Sequence, residues 1–362
     1  MQKNKNILIV GAGVHGCFLA KYLSNYNVNI FLIEKTKGIC LGSSGATHNR
    51  ANRGFHYPRS KQTTNECKVA YDYFEKNYNK YLKKFQSYYC IEKNSKTSFS
   101  RYVNFFKKNR LRFKIVNKTK YLKKEKLEGI IRAEEGCYNH KKIKIMLKNK
   151  LSNKKIKIIY KFDLKKVLYR NGNVILISKK NKIFEKKVDI ILNATYDNSN
   201  MVLRKFIKKA KIEKYKHQLT EVVRIKCKKK YPGITIMDGP YATIMPHLGK
   251  TDEYLLYDVT NSILKTSIKP ILNKFKKTNY TKIKKKLSKY INFTNDFKYV
   301  GSNYGNRPVP YRDKEANRST KIVENIYNKN IKLITIREGK YISAPYISRI
   351  LSKKIIKYLN EK

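Results

Sequence analysis

The strongest constraint on folding lies in the first 34 residues. Ile7-Leu-Ile-Val10 is an uninterrupted apolar run, Gly11-Ala-Gly13-Val-His-Gly16 follows it directly, and apolar residues recur at Cys17, Phe18, Leu19, Tyr22 and Leu23. The pattern predicts a buried strand, a tight glycine turn and a helix over residues 15–24. Val28 to Ile33 predicts a second strand, with Glu34 at its end. In such a βαβ unit the first glycine permits the turn, the second lets backbone approach a pyrophosphate, and the third packs helix on strand. Phosphate would meet the first N–H groups of the helix. A carboxylate at Glu34 can accept from both ribose hydroxyls, which argues against a 2′-phosphate and so against NADP. FAD and NAD both use this unit.

Residues 36–60 form a polar loop rich in Gly, Ser and Arg, too long for a plain connector. Downstream, helices are predicted over 63–81, 98–108, 141–151 and 343–359. Strands are predicted over 88–92, 113–117, 156–160, 174–177, 182–186, 188–192 and 331–336. Turn residues at Pro232-Gly233 and Asp238-Gly239-Pro240 punctuate strand-like stretches between 215 and 260, which suggests an antiparallel sheet.

No apolar run approaches a membrane span, and the N-terminus lacks a signal-peptide pattern, so a soluble, cytoplasmic protein is expected. Six scattered cysteines form no CxxC pair and no Cys/His spacing, so reduced thiols and no metal are expected. The formal charge of +58 attracts nucleic acid, anionic membrane or acidic substrates. Lysine runs all along the chain beside abundant Asn, Ile and Tyr are the mixture that A/T-rich codons give, so nucleic acid is not the expected partner.

Four segments, in order, resemble the D-amino-acid oxidase superfamily of flavoproteins, which includes enzymes oxidising glycine, sarcosine and 2-hydroxyglutarate. They are the N-terminal unit to Glu34, Gly42-Ser-Ser-Gly-Ala-Thr-His-Asn-Arg50, Asp189-Ile-Ile-Leu-Asn-Ala-Thr195, and Asn306-Arg-Pro-Val-Pro310 through Gly339-Lys340. Gly54-Phe-His-Tyr-Pro-Arg-Ser60 is similar to a motif of uncharacterised oxidoreductases linked to surface-polysaccharide gene sets. The resemblance implies FAD, and an α/β fold in which a Rossmann-like, glutathione-reductase-type domain (residues 1–82, 141–213 and 306–362) is interleaved with an antiparallel-sheet substrate domain (83–140 and 214–305).

It also implies site residues. Gly11, Gly13, Val14, Gly16, Glu34 and Lys35 fall at the nucleotide, and Ser43, Ser44, Ala46, Thr47 and His48 at the diphosphate and flavin. Phe162 or Lys161 falls at the adenine, while Ala194 and Thr195 form a second cofactor element, in which Tyr196 stands where the family has glycine. Gly339, Lys340 and Tyr341 close the site, with Lys340 able to stabilise negative charge on reduced flavin. Arg307 matches the family's carboxylate-binding arginine, and Tyr241 and His247 lie on the substrate wall. Arg53, His56 and Tyr57 are substrate candidates from the long loop, since arginine is scarce here and suits carboxylate or phosphate.

The expected activity is hydride transfer from a C–H next to an amine or hydroxyl of a small anionic substrate to flavin N5, with oxygen or another acceptor reoxidising the cofactor. The alternatives from sequence are a flavoenzyme modifying tRNA and a flavin-free binding protein of a surface-glycan pathway.

Overall fold

The computed structural model describes residues 4–239, 241–249, 252–271, 277–311, 317–328, 331–337 and 339–361. The chain forms a mixed α/β fold of two compact units. The first comprises 1–44, 141–215 and 318–362, and the second 45–140 and 216–317.

In the first unit a six-stranded sheet runs in the order Lys321–Tyr327, Ile331–Arg337, Ile190–Asn193, Lys5–Val10, Val28–Ile33, Ile156–Ile159. All neighbours are parallel except the first pair. The central strands read as continuous apolar runs because both faces are covered, as parallel sheets require. Leu8, Ile191 and Leu333 lie in register across three strands and enter a core with Val202, Leu203 and Phe206. The strands Leu164–Arg170, Asn173–Ser178 and Ile183–Lys186 form a separate three-stranded meander with Asn173–Ser178 at its centre. The helices Val14–Leu23 and Ser343–Asn360 also belong to this unit, and Ser348 Oγ lies 3.4 Å from the His15 carbonyl. No helix among the described residues is long and apolar enough to cross a membrane.

The topology positions chemistry at one edge. Chain order reverses around Lys5–Val10, and ligands of open α/β sheets bind beyond the carboxyl ends of strands at such a point. Those ends are followed by Gly11, Glu34, Ala194 and Gly339.

The second unit is built on a ten-stranded sheet. Its register draws one cross-strand row, Ile131–Tyr89–Thr235–Thr243–Tyr257. The opposite face presents Cys90, Ile234, Ile236, Ala242, Ile244 and Leu256, packed with Ile283 and Leu287 of the helix Tyr280–Leu287. Ser60 and Ser98 begin the helices Lys61–Tyr78 and Phe99–Lys108 by accepting from Thr63 N and Arg101 N.

Several expectations need correction. Residues 45–82, assigned from sequence to the nucleotide domain, belong to the second unit, because Arg50–Ala51 pairs with Gly136–Cys137 and Leu82–Glu92 runs along Leu127–Tyr138. Residues 306–317 move likewise, since Lys298–Pro310 pairs with Tyr215–Lys226. The strand Leu127–Tyr138 was missed because two glycines and three glutamates blur its alternation.

Candidate active site

In the first unit the glycine turn is built as its spacing requires. Gly11 has φ +102°, and a β-carbon there would lie 2.8 Å from the Ala194 carbonyl oxygen. A β-carbon on Gly16 would sit 1.9 Å from the Gly11 carbonyl oxygen, so this contact admits no side chain. At Gly13 the same atom would meet only Ser44 Oγ, at 3.4 Å. That space lies open where a ligand must approach.

The helix behind the turn begins at Val14, whose N–H donates to Ser44 Oγ at 3.1 Å, and no acid stands in its first turn. The helix dipole there is uncompensated by carboxylate and suits a diphosphate. Glu34 Oε2 accepts from Ala12 N at 2.8 Å, and Oε1 accepts from Thr36 N and Thr36 Oγ1, each at 2.8 Å. Three bonds fill most of about four acceptor positions on a carboxylate, leaving capacity for a hydroxyl donor. Phe162 N donates to the Glu34 carbonyl and Lys161 N to that of Thr36, both at 2.9 Å. The Lys161–Phe162 segment is therefore tied to the backbone at Glu34 and Thr36, whereas Lys35 is exposed.

The second element closes the same edge. Ala194 N donates to Val10 O at 2.9 Å, and Thr195 Oγ1 donates to Asn193 Oδ1 at 2.6 Å. Tyr196, where glycine was expected, adopts φ +51°, so the turn keeps a left-handed residue without glycine. Gly339 has φ +83°, with Thr320 Oγ1 and His15 Nε2 where its β-carbon would point. Lys340 Nζ donates to the Arg318 carbonyl at 2.9 Å, and Tyr341 is buried.

The second unit holds a polar cluster over the cross-strand row. Arg50 is buried, with Nη1 2.9 Å from Tyr89 Oη and Nη2 2.8 and 2.6 Å from Thr235 and Thr243 Oγ1. Its Nη1 also lies 3.2 and 2.9 Å from Nδ1 and Nε2 of His56. His56 Nε2 lies 2.6 Å from Tyr241 Oη and Nδ1 3.0 Å from Tyr89 Oη.

Beside this, Arg307 donates Nε and Nη2 to Gln218 Oε1 at 3.2 and 2.6 Å, and its guanidinium lies 5.8 Å from the Tyr257 ring centre. His48 packs edge-on to Tyr257 at 4.7 Å, and its Nε2 is buried without a partner. Burial, then the charges of Arg50 and Arg307, push the His48 imidazole down to about 3, so it stays neutral near pH 7. Among the described residues neither Arg50 nor Arg307 makes a salt bridge.

Other expected residues lie elsewhere. Arg53 pairs with Glu75 and Glu134 at 3.5 and 3.1 Å and lies over the Tyr71 ring, which commits its charge. Arg59 is likewise paired with Asp238 at 3.1 Å. Tyr57 stands beside His56, with ring centres 6.2 Å apart. Thr47 Oγ1 bonds Tyr138 Oη at 2.7 Å, and Ala46 lies in the same loop.

Tyr241 and His247, both expected on one substrate wall, flank opposite ends of the strand Ala242–Pro246. At strand rise they are roughly 20 Å apart, too far to orient one small molecule. Pro240 of the Asp238–Tyr241 motif lies outside the described residues.

Sequence reasoning missed Gln218, Tyr257, Tyr89, Thr235, Thr243 and Glu135. The available signal was a polar residue between apolar neighbours, as in Ile234-Thr235-Ile236 and Ala242-Thr243-Ile244.

The fold resembles that of L-proline dehydrogenase from P. horikoshii, with a TM-score of 0.76 over 99% of this chain and 94% of that one at 15% identity. It also resembles FAD-bound L-alpha-glycerophosphate oxidase from Mycoplasma pneumoniae, with a TM-score of 0.75 over 100% and 96% at 14% identity. The FAD-dependent monooxygenase kojA of Aspergillus flavus is 42% identical over 62 residues, which is 17% of this chain and only 14% of that protein. Residues 6–327 match the family described as FAD dependent oxidoreductase, DAO. With a glycine cradle and a carboxylate at Glu34 that fit the cofactor, the chain belongs to this family of FAD-dependent oxidoreductases.

Proposed function

We propose that the enzyme oxidises a small anionic substrate, an amino or hydroxy acid or an acidic or nucleotide-linked sugar, at the carbon bearing its amine or hydroxyl. The observation that carries this reading is Arg307, whose described side-chain partners are the neutral amide of Gln218 and the neutral phenol of Tyr257. A guanidinium so placed is matched by carboxylate or phosphate, whose two oxygens meet its planar fork.

Gly11, Gly13, Val14 and Gly16, with Ser43, Ser44 and the loop that follows, would hold the FAD diphosphate. Glu34 and Lys35 would hold the ribose, the Lys161–Phe162 segment the adenine side, and Ala194, Thr195 and Gly339 to Tyr341 the remaining edge. FAD supplies the hydride acceptor at flavin N5, and oxygen or another acceptor restores it. Arg307 anchors the anionic group. Neutral His48 offers its buried Nε2, and Tyr241 its hydroxyl, to the substrate's amine or hydroxyl, which fixes the reacting C–H.

The test is anaerobic flavin bleaching by a panel of amino acids, hydroxy acids and sugar acids beside neutral amines and alcohols. Only the anions should reduce the flavin, and Arg307→Lys should raise KM about 10- to 100-fold by losing the fork while keeping the charge. Reduction by the neutral compounds at a kcat/KM that Arg307→Ala leaves untouched would remove the anionic substrate class.

A further inference from the structure

Oxidation of an amine or alcohol releases a proton from nitrogen or oxygen as well as a hydride from carbon, and the second unit contains a path for that proton. We infer that Tyr241, His56, Tyr89 and Glu135 form a relay that carries the substrate's N–H or O–H proton to a buried carboxylate. The inference rests on the substrate assignment above and adds the proton's destination.

The geometry of the first two links is a pair of short contacts, and the third joins them to a carboxylate. Tyr241 Oη lies 2.6 Å from His56 Nε2, and His56 Nδ1 lies 3.0 Å from Tyr89 Oη. The Tyr89 hydroxyl also interacts with the Glu135 carboxyl. Glu135 is fully buried, its Oε1 accepts from Arg53 N at 3.3 Å, and, the Tyr89 hydroxyl aside, its Oε2 has no donor. A buried carboxylate with so few donors is costly to keep ionised, and a role in receiving a proton accounts for it.

Hydrogen counting sets the direction. Arg50 can only donate, so Tyr89 Oη accepts from it and must send its own hydrogen to His56 or to Glu135. With Glu135 ionised, that hydrogen turns to the carboxylate, Nδ1–H donates to Tyr89, and Nε2 accepts from Tyr241. Every hydrogen then points from Tyr241 towards Glu135, and the Tyr241 oxygen has lone pairs to offer. As hydride leaves carbon, the substrate's N–H or O–H hydrogen passes to Tyr241 Oη, that of Tyr241 to Nε2, that of Nδ1 to Tyr89, and that of Tyr89 to Glu135. The N–H or O–H bond breaks, its electron pair turns the adjacent C–N or C–O bond into C=N or C=O as hydride leaves carbon, and one proton ends on Glu135.

Arg50 serves as a positioning residue. It spans Tyr89, Thr235, Thr243 and the His56 ring, and its permanent charge opposes a second proton on that ring, so the proton passes on. Glu135 is faced by Arg50 and Arg53, by Tyr71 and Tyr102 of the two capped helices, by Tyr89 on the adjacent strand and by Tyr241. Burial pushes its carboxyl up to about 7, with Arg50 and the hydrogen bonds from Arg53 and Tyr89 opposing, so it loses its proton in the neutral range.

Stopped-flow reduction of the holoenzyme between about pH 5.5 and 9 tests the relay. In the wild type the rate should rise with pH as Glu135 ionises. Glu135→Gln and Tyr89→Phe should each lose that rise and slow reduction about 100-fold at the alkaline end with KM little changed. A wild-type profile and rate in both variants would overturn the relay. Proton NMR of 15N-histidine-labelled protein supplies a reading independent of turnover. The His56 hydrogen should move from Nε2 to Nδ1 as pH rises through the neutral range, and stay fixed in Glu135→Gln. A hydrogen that never moves in the wild type overturns the relay even if anions reduce the flavin. If no anion reduces it but the hydrogen moves, the substrate assignment fails and the proton path stands.

Discussion

The cradle of the first unit and the polar cluster of the second are built on opposite principles. The cradle is made of backbone: three glycines, helix N–H groups and one carboxylate within 34 residues. The cluster is made of side chains from at least six separated stretches, brought together by sheet register. A site of backbone depends on what is absent, namely β-carbons, and a site of side chains depends on what survives at each position. The first should therefore break by addition and the second by charge.

The largest effect should come from adding an atom to the cradle. Gly16→Ala puts carbon 1.9 Å from the Gly11 carbonyl oxygen and should cost about 4 kcal/mol or more, whereas Gly13→Val meets an open approach. The second variant should keep the apoprotein's Tm and lose FAD. Equal losses of stability in thermal melts of the two apoproteins would show that the cradle is a packing motif and not a ligand space.

Next in size is the charge of the cluster. Because the Glu135 carboxyl is held up to about 7 by burial, against an ordinary 4.5, the folded chain binds more protons than the unfolded one between those values. Its contribution to stability is full below about pH 4.5 and is lost as pH rises through about 7, a change of about 3 kcal/mol. Denaturant titrations should show that component vanish in Glu135→Gln. A wild-type slope in the variant would place the titration elsewhere.

The smallest effect should come from the acidic side chain of the cradle, Glu34. Glu34→Ala removes a ribose acceptor worth about 2 kcal/mol and should weaken FAD about 30-fold while the fold persists. Unaltered FAD affinity by fluorescence titration would mean that backbone alone holds the nucleotide.

These differences explain what could be read from sequence. The glycine spacing, Glu34 and the strands beside them are local, so periodicity and composition expose them before any fold is known. Arg307 was found through its Arg-Pro-Val-Pro setting, yet its partner Gln218 lies 89 residues away and has no motif. Tyr89 and Thr235 are neighbours only because a parallel pairing joins two distant strands. Tyr241 and His247 are near in sequence, and an extended strand turns that nearness into distance. At Tyr196 the identity departed from expectation while the backbone did not, since the surrounding turn imposes a left-handed residue that glycine would adopt at less cost.

The strand Ile331–Arg337 lies inside the first unit's sheet, between Ile190–Asn193 and Lys321–Tyr327, and the helix after it meets the one behind the glycine turn. On the ribosome, the βαβ unit therefore emerges some three hundred residues before its sheet is complete. The second unit's segments are all synthesised in that interval. Tight nucleotide capture is thus a late event in the life of each chain, and a polypeptide cut short before residue 331 should expose an unpaired parallel edge to the folding machinery in place of a finished cofactor site.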